Sequence, residues 1–237
     1  MHEDCLLFDA YGRIQHENGT PKLSQRVALL PAFPIGDGLW VQRLGHKGEG
    51  PQWHRASDKL AVYALGVLGF RERTRVDPTS GDELDFQHPT VGRTQAGREV
   101  FPRIDPAVIG IIELAGQQRI LLGKNRLRPS FYSLVAGYVD LGETFEAAMV
   151  REVKEETGRR IEDATYVASQ PWPYSGSVMV GMKATTTDED PVTQTDGELI
   201  DIVWASRKDI DDKVYPLPTT GSLAARLIGE WMRQPRS

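Results

Sequence analysis

Three features of the sequence predict a mixed α/β domain over residues 103–237, preceded by a smaller α+β domain over 1–70 and a connector over 71–102. Short apolar runs in the C-terminal half are interrupted by one helix-patterned segment, an order that builds a sheet covered by helices. The chain closes on TGSLAARLIGEWMRQ (220–234), an amphipathic helix. Between the halves, RERTRVDPTSGDELDFQHPTVGRTQAGRE (71–99) is rich in Gly, Pro and charge and has little hydrophobic periodicity, which marks a connector or a small loop-rich module.

In the N-terminal part, RVALLPAF (26–33) and LWVQRL (39–44) are short apolar runs between turns, and SDKLAVYALGVLGF (57–70) is the helix candidate. No catalytic constellation stands out there, so a structural or dimerisation role is expected. Further on, AVIGII (107–112), QRILLGK (118–124) and FYSLVAG (131–137) are successive strand candidates. Residues 143–157 have helix composition, with Gly158 placed as a C-cap. ATYVAS (164–169), SVMVGMKA (177–184) and LIDIVWA (199–205) complete the strands.

Composition narrows the function classes. A chain of 237 residues with 40% hydrophobic and 26% charged residues suits one large or two small globular domains. No apolar run approaches membrane-spanning length, and MHEDCLLFDAYGR at the N-terminus lacks a signal-peptide layout, so a cytoplasmic protein without membrane partners is expected. Cys5 is the single cysteine, which excludes an intramolecular disulfide and a multi-cysteine metal site within the chain. All five histidines precede residue 90, so chemistry in the C-terminal half is not built on a Ser-His or Cys-His pair from that half. A net charge of −5 with no dense Lys/Arg block argues against tight, general nucleic-acid binding.

The informative stretch is GYVDLGETFEAAMVREVKEETG (137–158). At about 100° per residue, Glu152 and Glu156 sit about 40° apart and Glu155 about 60° from Glu152, so three carboxylates share one helix face. Met149, Val150 and Val153 lie on the other flank, and Arg151 is four residues before Glu155, close enough to pair with it. Clustered like charges are unfavourable unless offset, and hard divalent cations are the natural partners of such oxygens. A solvated acidic face laced with i,i+4 pairs is the alternative.

Gly137, Glu143, Arg151, Glu152, Glu155, Glu156 and Gly158 together fit G-x5-E-x7-R-E-U-x-E-E-x-G-U, with Val153 as the internal apolar position and Arg159 departing from the final one. This resembles the Nudix box, and the resemblance implies a Nudix-type α/β/α sandwich with a mixed sheet. It also implies Mg²⁺ or Mn²⁺ on Glu152, Glu155 and Glu156, with the Ala136 carbonyl and Glu198 as further ligands and Arg151 orienting Glu155.

SQPWPYSGS (169–177) sets a proline on each side of Trp172, so it must lie at a sheet edge or in a loop. It resembles the SQPWPFPxS array of the NADH pyrophosphatase branch of the Nudix hydrolases, with Tyr174 for Phe and Ser175 for Pro. FPRIDPAVI (101–109) and GSLAARLI (221–228) agree with that branch. By this resemblance Gln170, Pro171, Trp172, Pro173, Tyr174, Ser175, Gly176, Ser177 and Ala224 line the substrate site, while Phe101 and Tyr138 are candidates to stack on a nicotinamide ring. Trp172 and Tyr174 packing a loop against the core is the competing reading. Relatives of this branch carry a four-cysteine zinc ribbon, but residues 75–100 have no cysteine, so no structural zinc of that type is expected.

The expected activity is cleavage of NADH or NAD⁺ to nicotinamide mononucleotide and AMP, by a protein that the resemblance makes a homodimer. The rivals are the same chemistry on the NAD cap of RNA 5′ ends or on ADP-ribose, and a module that senses a dinucleotide without cleaving it.

Overall fold

A computed structural model describes residues 4–218 and 220–235. The chain forms two units, Met1–Ile104 with Trp172–Ser177, and Asp105–Pro171 with Val178–Ser237.

In the first unit, strands β1 (Asp4–Phe8), β2 (Arg13–Glu17), β3 (Thr20–Pro21), β4 (Leu23–Gln25), β5 (Ala32–Gly36), β6 (Leu39–Arg43) and β7 (Trp53–Arg55) make one seven-stranded sheet. Helix α1 (Lys59–Arg73) starts where the Asp58 side chain accepts the Ala61 N–H, the usual way to satisfy a free first-turn donor. Its apolar face, Ala61, Ala64, Leu65 and Leu68, packs on Leu6, Phe8, Ile14 and Val41 of the sheet. The helix runs past residue 70, the expected domain boundary, because apolar positions continue through Phe70 and the chain leaves helical geometry only at Thr74.

The stretch expected as a connector contains a small sheet of β8 (Asp85–His88), β9 (Val91–Arg93) and β10 (Glu99–Val100). Ordinary contacts hold it. Arg98 Nε lies 3.1 Å from the buried Asp77 carboxylate, Arg98 Nη2 donates to Thr79 Oγ1 at 2.9 Å, and the Arg71 guanidinium sits 3.8 Å over the Phe86 ring.

The second unit is a sheet between two helices. Its strands are β11 (Asp105–Leu114), β12 (Arg119–Asn125), β13 (Val135–Tyr138), β14 (Glu162–Trp172), β15 (Ser177–Thr186) and β16 (Leu199–Ser206). They run in the order β14-β15-β11-β12-β16, with β13 paired to β11. Helix α2 (Phe145–Thr157) covers one face, while α4 (Leu223–Arg233) covers the other after the short α3 (Arg207–Asp211).

Strand alternation explains the layers. Val108, Ile112 and Leu121 point to α2 and meet Ala148, Met149 and Val153. Ile109, Ile111, Ile120 and Leu122 point to α4 and meet Leu223, Leu227, Ile228 and Trp231. Gly110 is required beneath α2, since a Cβ there would lie 2.5 Å from Met149 Sδ. FYSLVAG gives a shorter strand than its composition suggests, beginning only at Val135. β14 is the edge strand of its sheet, which is where Pro171 can be accommodated.

Candidate active site

The site grows from α2. Thr144 caps its start by accepting the Ala147 N–H at 3.2 Å, and Gly158 ends it in the left-handed conformation at φ 70°. A side chain at 158 would also strike the Thr193 carbonyl, 2.4 Å from the position of its Cβ. That close approach is productive, because the Gly158 carbonyl accepts the N–H groups of Val192 and Thr193, and the Glu155 carbonyl accepts the Asp196 N–H at 2.9 Å. The C-terminal end of the helix therefore docks the loop that leads to Glu198.

Arg151 ties the carboxylates together. It forks onto Glu143, with Nε 2.7 Å from Oε1 and Nη2 2.9 Å from Oε2, and Nη2 also donates to the Tyr138 carbonyl at 2.9 Å. Its Nη1 donates to Glu152 Oε1 at 2.8 Å and to Glu155 Oε2 at 3.0 Å. Helical spacing anticipates only the last of these. The Arg151 hydrogen bonds, joined by the Asp140 N–H, hold the Glu143 carboxyl at about 2, far below the ordinary range. Gly137 makes room for Glu152, since a Cβ there would lie 2.0 Å from the Glu152 carboxyl carbon.

Glu156 has the opposite environment. It is 3% exposed, and burial, then the carboxylates of Glu198, Glu152 and Asp196, push its carboxyl up to about 9. Asp196 is a member of this acidic set that sequence reasoning missed. No periodicity connects it to α2; the Gly158 and Glu155 carbonyls bring its loop there. Burial is also the largest influence raising Glu152, against the pull of Arg151. The carboxylates are not drawn up as a closed cage, for among the described residues no three His, Cys, Asp or Glu side chains converge on one point.

Arg159, which departs from the apolar pattern, is buried without strain. Its guanidinium donates to the Glu189 carbonyl at 2.8 and 3.1 Å and to the Thr157 carbonyl at 2.8 Å, with the Trp204 ring 5.5 Å away.

The residues expected to line the substrate site are divided. Gln170 stays with the second unit, where its Nε2 donates to the Gly221 carbonyl at 2.7 Å just ahead of α4. Trp172–Ser177 belong to the N-terminal unit. There the Tyr174 hydroxyl accepts the Ala56 N–H at 2.7 Å, and its ring packs on the N-terminal core. Arg55 lies over both rings, 5.2 Å from Trp172 and 5.4 Å from Tyr174. Ser175 and Ser177 pair through their hydroxyls at 2.8 Å, and Gly176 turns the chain at φ 74°. Pro171 is exposed and Pro173 half-buried. The Ala224 side chain is 4% exposed in the core under α4, so it can face a ligand only through its backbone. Ala136 pairs with Ile109 inside the sheet. Tyr138, 54% exposed, ends β13 beside the Arg151 knot, while Phe101 is an exposed residue of the other unit.

A family model described as NUDIX domain matches residues 104–225. Among curated proteins, the chain is 32% identical over 236 residues to the NAD-capped RNA hydrolase NudC of Mycobacterium bovis (strain BCG / Pasteur 1173P2), covering 93% of this chain and 74% of that protein. It is 33% identical over 192 residues to the NAD-capped RNA hydrolase NUDT12 of Homo sapiens, covering 73% of this chain and 41% of that one. Among solved structures, a NUDIX hydrolase from Nitrosomonas europaea is 22% identical with a TM-score of 0.46, over 54% of this chain and 88% of its own. A match across more than half of the chain, joined to a relative at 32% identity along nearly all of it, places this chain in the Nudix hydrolase family of pyrophosphohydrolases.

Proposed function

We propose that the chain hydrolyses the diphosphate of NADH and NAD⁺, releasing AMP and the reduced or oxidised nicotinamide mononucleotide. The observation that carries this reading is the Arg151 knot, which presents Glu152 and Glu155 in fixed orientations next to the buried Glu156. The likeness to two proteins named NAD-capped RNA hydrolase supports the choice of substrate.

The carboxylate set fits a divalent cation in kind. Its donors are hard oxygens, Glu156 is buried against like charges, and Gly137 leaves the hollow that the Glu152 carboxylate fills. Glu152, Glu155, Glu156 and Glu198, with the Ala136 carbonyl, would hold Mg²⁺ or Mn²⁺. When bound, such an ion neutralises charge on the diphosphate oxygens and lowers the pKa of water.

The chain's own residues supply the rest. Glu143 fixes the Arg151 fork, and Arg151 in turn restricts the Glu152 and Glu155 carboxylates. Water adds to one phosphorus, the P–O–P bond breaks, and one of these carboxylates accepts the water proton. Tyr138 offers an exposed ring beside the knot for a flat base, and Gln170 fixes the loop before α4.

The test is AMP release from equal concentrations of NADH, NAD⁺ and ADP-ribose with Mg²⁺ or Mn²⁺, with Glu156→Gln as control. Preference for NADH or NAD⁺, lost in the control, is the expected result. Preference for ADP-ribose would move the substrate assignment, and ligand binding without turnover would favour a sensor. A second reading, removal of the NAD cap from RNA, breaks the same bond and is favoured by the names of both relatives. A salt-sensitive gain in kcat/KM for capped RNA over free NADH would support it. The homodimer and the cytoplasmic location belong to the same reading. Sedimentation of the purified chain tests the first and cell fractionation the second. No helix among the described residues is long and apolar enough to cross a membrane.

A further inference from the structure

At the end of β12 one side chain has both of its polar atoms committed. Asn125 Nδ2 donates to Glu198 Oε1 at 2.8 Å, and Asn125 Oδ1 accepts the Leu127 N–H at 2.8 Å. Together these bonds fix which way the amide faces. Turned over, it would set its NH₂ against the Leu127 N–H and its oxygen against a carboxylate, so both contacts would become repulsive.

The surrounding backbone holds the same geometry. Arg126 N–H donates to the Glu198 carbonyl at 3.0 Å, and Arg126 Nη2 donates to the Gly197 carbonyl at 2.8 Å. From the other side, Glu198 N–H donates to Asp196 Oδ1 at 2.9 Å, and Asp196 is bound in turn to the Glu155 carbonyl. The strand register also shifts at this point. Lys124 stands opposite Asp201 but Asn125 opposite Leu199, so Ile200 is the extra residue of a bulge. Bulges of this kind re-aim side chains near functional sites.

Glu198 needs such a hold. It is an exposed residue at the end of a loop, whereas Glu152 and Glu155 are fixed by Arg151 and the helix. A free glutamate in that position would have to give up its rotamer freedom on ligating an ion. The Asn125 amide removes much of that freedom beforehand.

We infer that Asn125 is a positioning residue, whose amide presents the Glu198 carboxylate and thereby sets how tightly the chain holds the divalent cation of the proposed hydrolysis. The inference rests on the reading of Glu198 as a metal ligand.

The experiment measures Mn²⁺ binding to the metal-free full chain by titration calorimetry, with thermal unfolding recorded in parallel. It compares wild type, Asn125→Ala, Glu198→Gln and the double variant. Asn125→Ala is expected to weaken Mn²⁺ binding about 10- to 100-fold, the range for groups that orient a ligand, with Tm nearly unchanged. In the Glu198→Gln background it should cost nothing further, because the group it acts through is gone. Should the alanine variant fail to fold, Asn125→Ser carries the same comparison, since its hydroxyl can still accept the Leu127 N–H but cannot reach Glu198.

Wild-type affinity in the Asn125 variants, with Glu198→Gln weakened, would overturn the positioning role and leave Glu198 as a ligand. Additive losses in the double variant would overturn it too, showing an effect on the loop as a whole. Wild-type affinity in Glu198→Gln would instead remove Glu198 from the ligand set, and the inference with it.

Discussion

Residues 137–158 and 169–177 are both conspicuous in the sequence, yet they end differently. The first stays together, with Glu143, Glu152 and Glu155 meeting on Arg151 within one turn-and-helix and Gly137 leaving room for Glu152. The second is split after Pro171, where the Tyr174 ring packs on the core of the other unit and Trp172 lies against Tyr174 and Arg55. The cause is the kind of element that carries each motif. A helix fixes the relative directions of residues 151, 152, 155 and 156 by its own period. An extended segment with a turn takes its side-chain partners from whatever lies nearby, here an N–H group 118 residues away in sequence. Spacing on a helix is therefore a prediction of geometry, while spacing in an edge strand and turn is mainly a prediction of stiffness.

The largest expected effect is on the helix side. Glu156→Gln removes a buried carboxylate from the set that would hold the metal, a contribution of several kcal/mol to the transition state. At 1.36 kcal/mol per tenfold this is a loss of about 10³ in kcat. Tm of the metal-free chain should hold, since a carboxyl pushed up to about 9 is already neutral at pH 7 and an amide of the same shape replaces it. Steady-state kinetics and thermal melts check both halves.

Next comes Arg151→Ala, which unties Glu143, Glu152 and Glu155 at once. Turnover should fall about 10- to 100-fold, as when other ligand-orienting groups are removed. The Mn²⁺ concentration for half-maximal rate should rise as well. An unchanged metal requirement would break the claim that Arg151 works through the carboxylates.

On the other side of the comparison the effect is on stability. Tyr174→Phe leaves the N–H of the buried Ala56 without its acceptor, at a cost of about 1–3 kcal/mol. Urea unfolding should show that loss while KM for NADH stays put. A raised KM with unchanged stability would assign the ring to the substrate site.

The smallest effect concerns the neighbouring turn. Burial alone would raise the Asp9 carboxyl, but hydrogen bonds from the Arg13 N–H and guanidinium and from the Gly48 and Tyr11 N–H groups outweigh it and hold it below its ordinary 3.8. A depressed carboxyl stabilises the fold above its unfolded value, and that contribution is lost as pH falls through the lower folded value. Asp9→Asn should therefore cost about 1 kcal/mol at neutral pH, and the gap to wild type should close as the pH drops below 3.8. A gap that persists in acid would mean that shape rather than charge holds the turn.

These outcomes also show what the sequence could reveal. The mixed α/β domain is legible from apolar runs such as 107–112 and 118–124 and from Gly158 at the end of α2. The division of Val108, Ile112 and Leu121 from Ile109, Ile111 and Ile120 between two faces appears only in the structure, because a run apolar at every position does not show which face is which. The three helix glutamates and the Arg151–Glu155 pair followed from helical period. The Arg151 fork onto Glu143, the approach of Asp196 and the Asn125–Glu198 bond did not, because each joins separate elements across a loop. The sheet of β8, β9 and β10 was also hidden, since strands of two to four residues leave no periodicity to read.

The most direct test of the division between the two motifs is kcat, KM and Tm for Glu156→Gln and Tyr174→Phe, measured side by side with NADH and Mn²⁺. The account predicts a crossed pattern, with turnover lost at unchanged Tm in the first and Tm lowered at unchanged kcat and KM in the second. Near-wild-type turnover in Glu156→Gln, or a KM defect without a Tm defect in Tyr174→Phe, would contradict it.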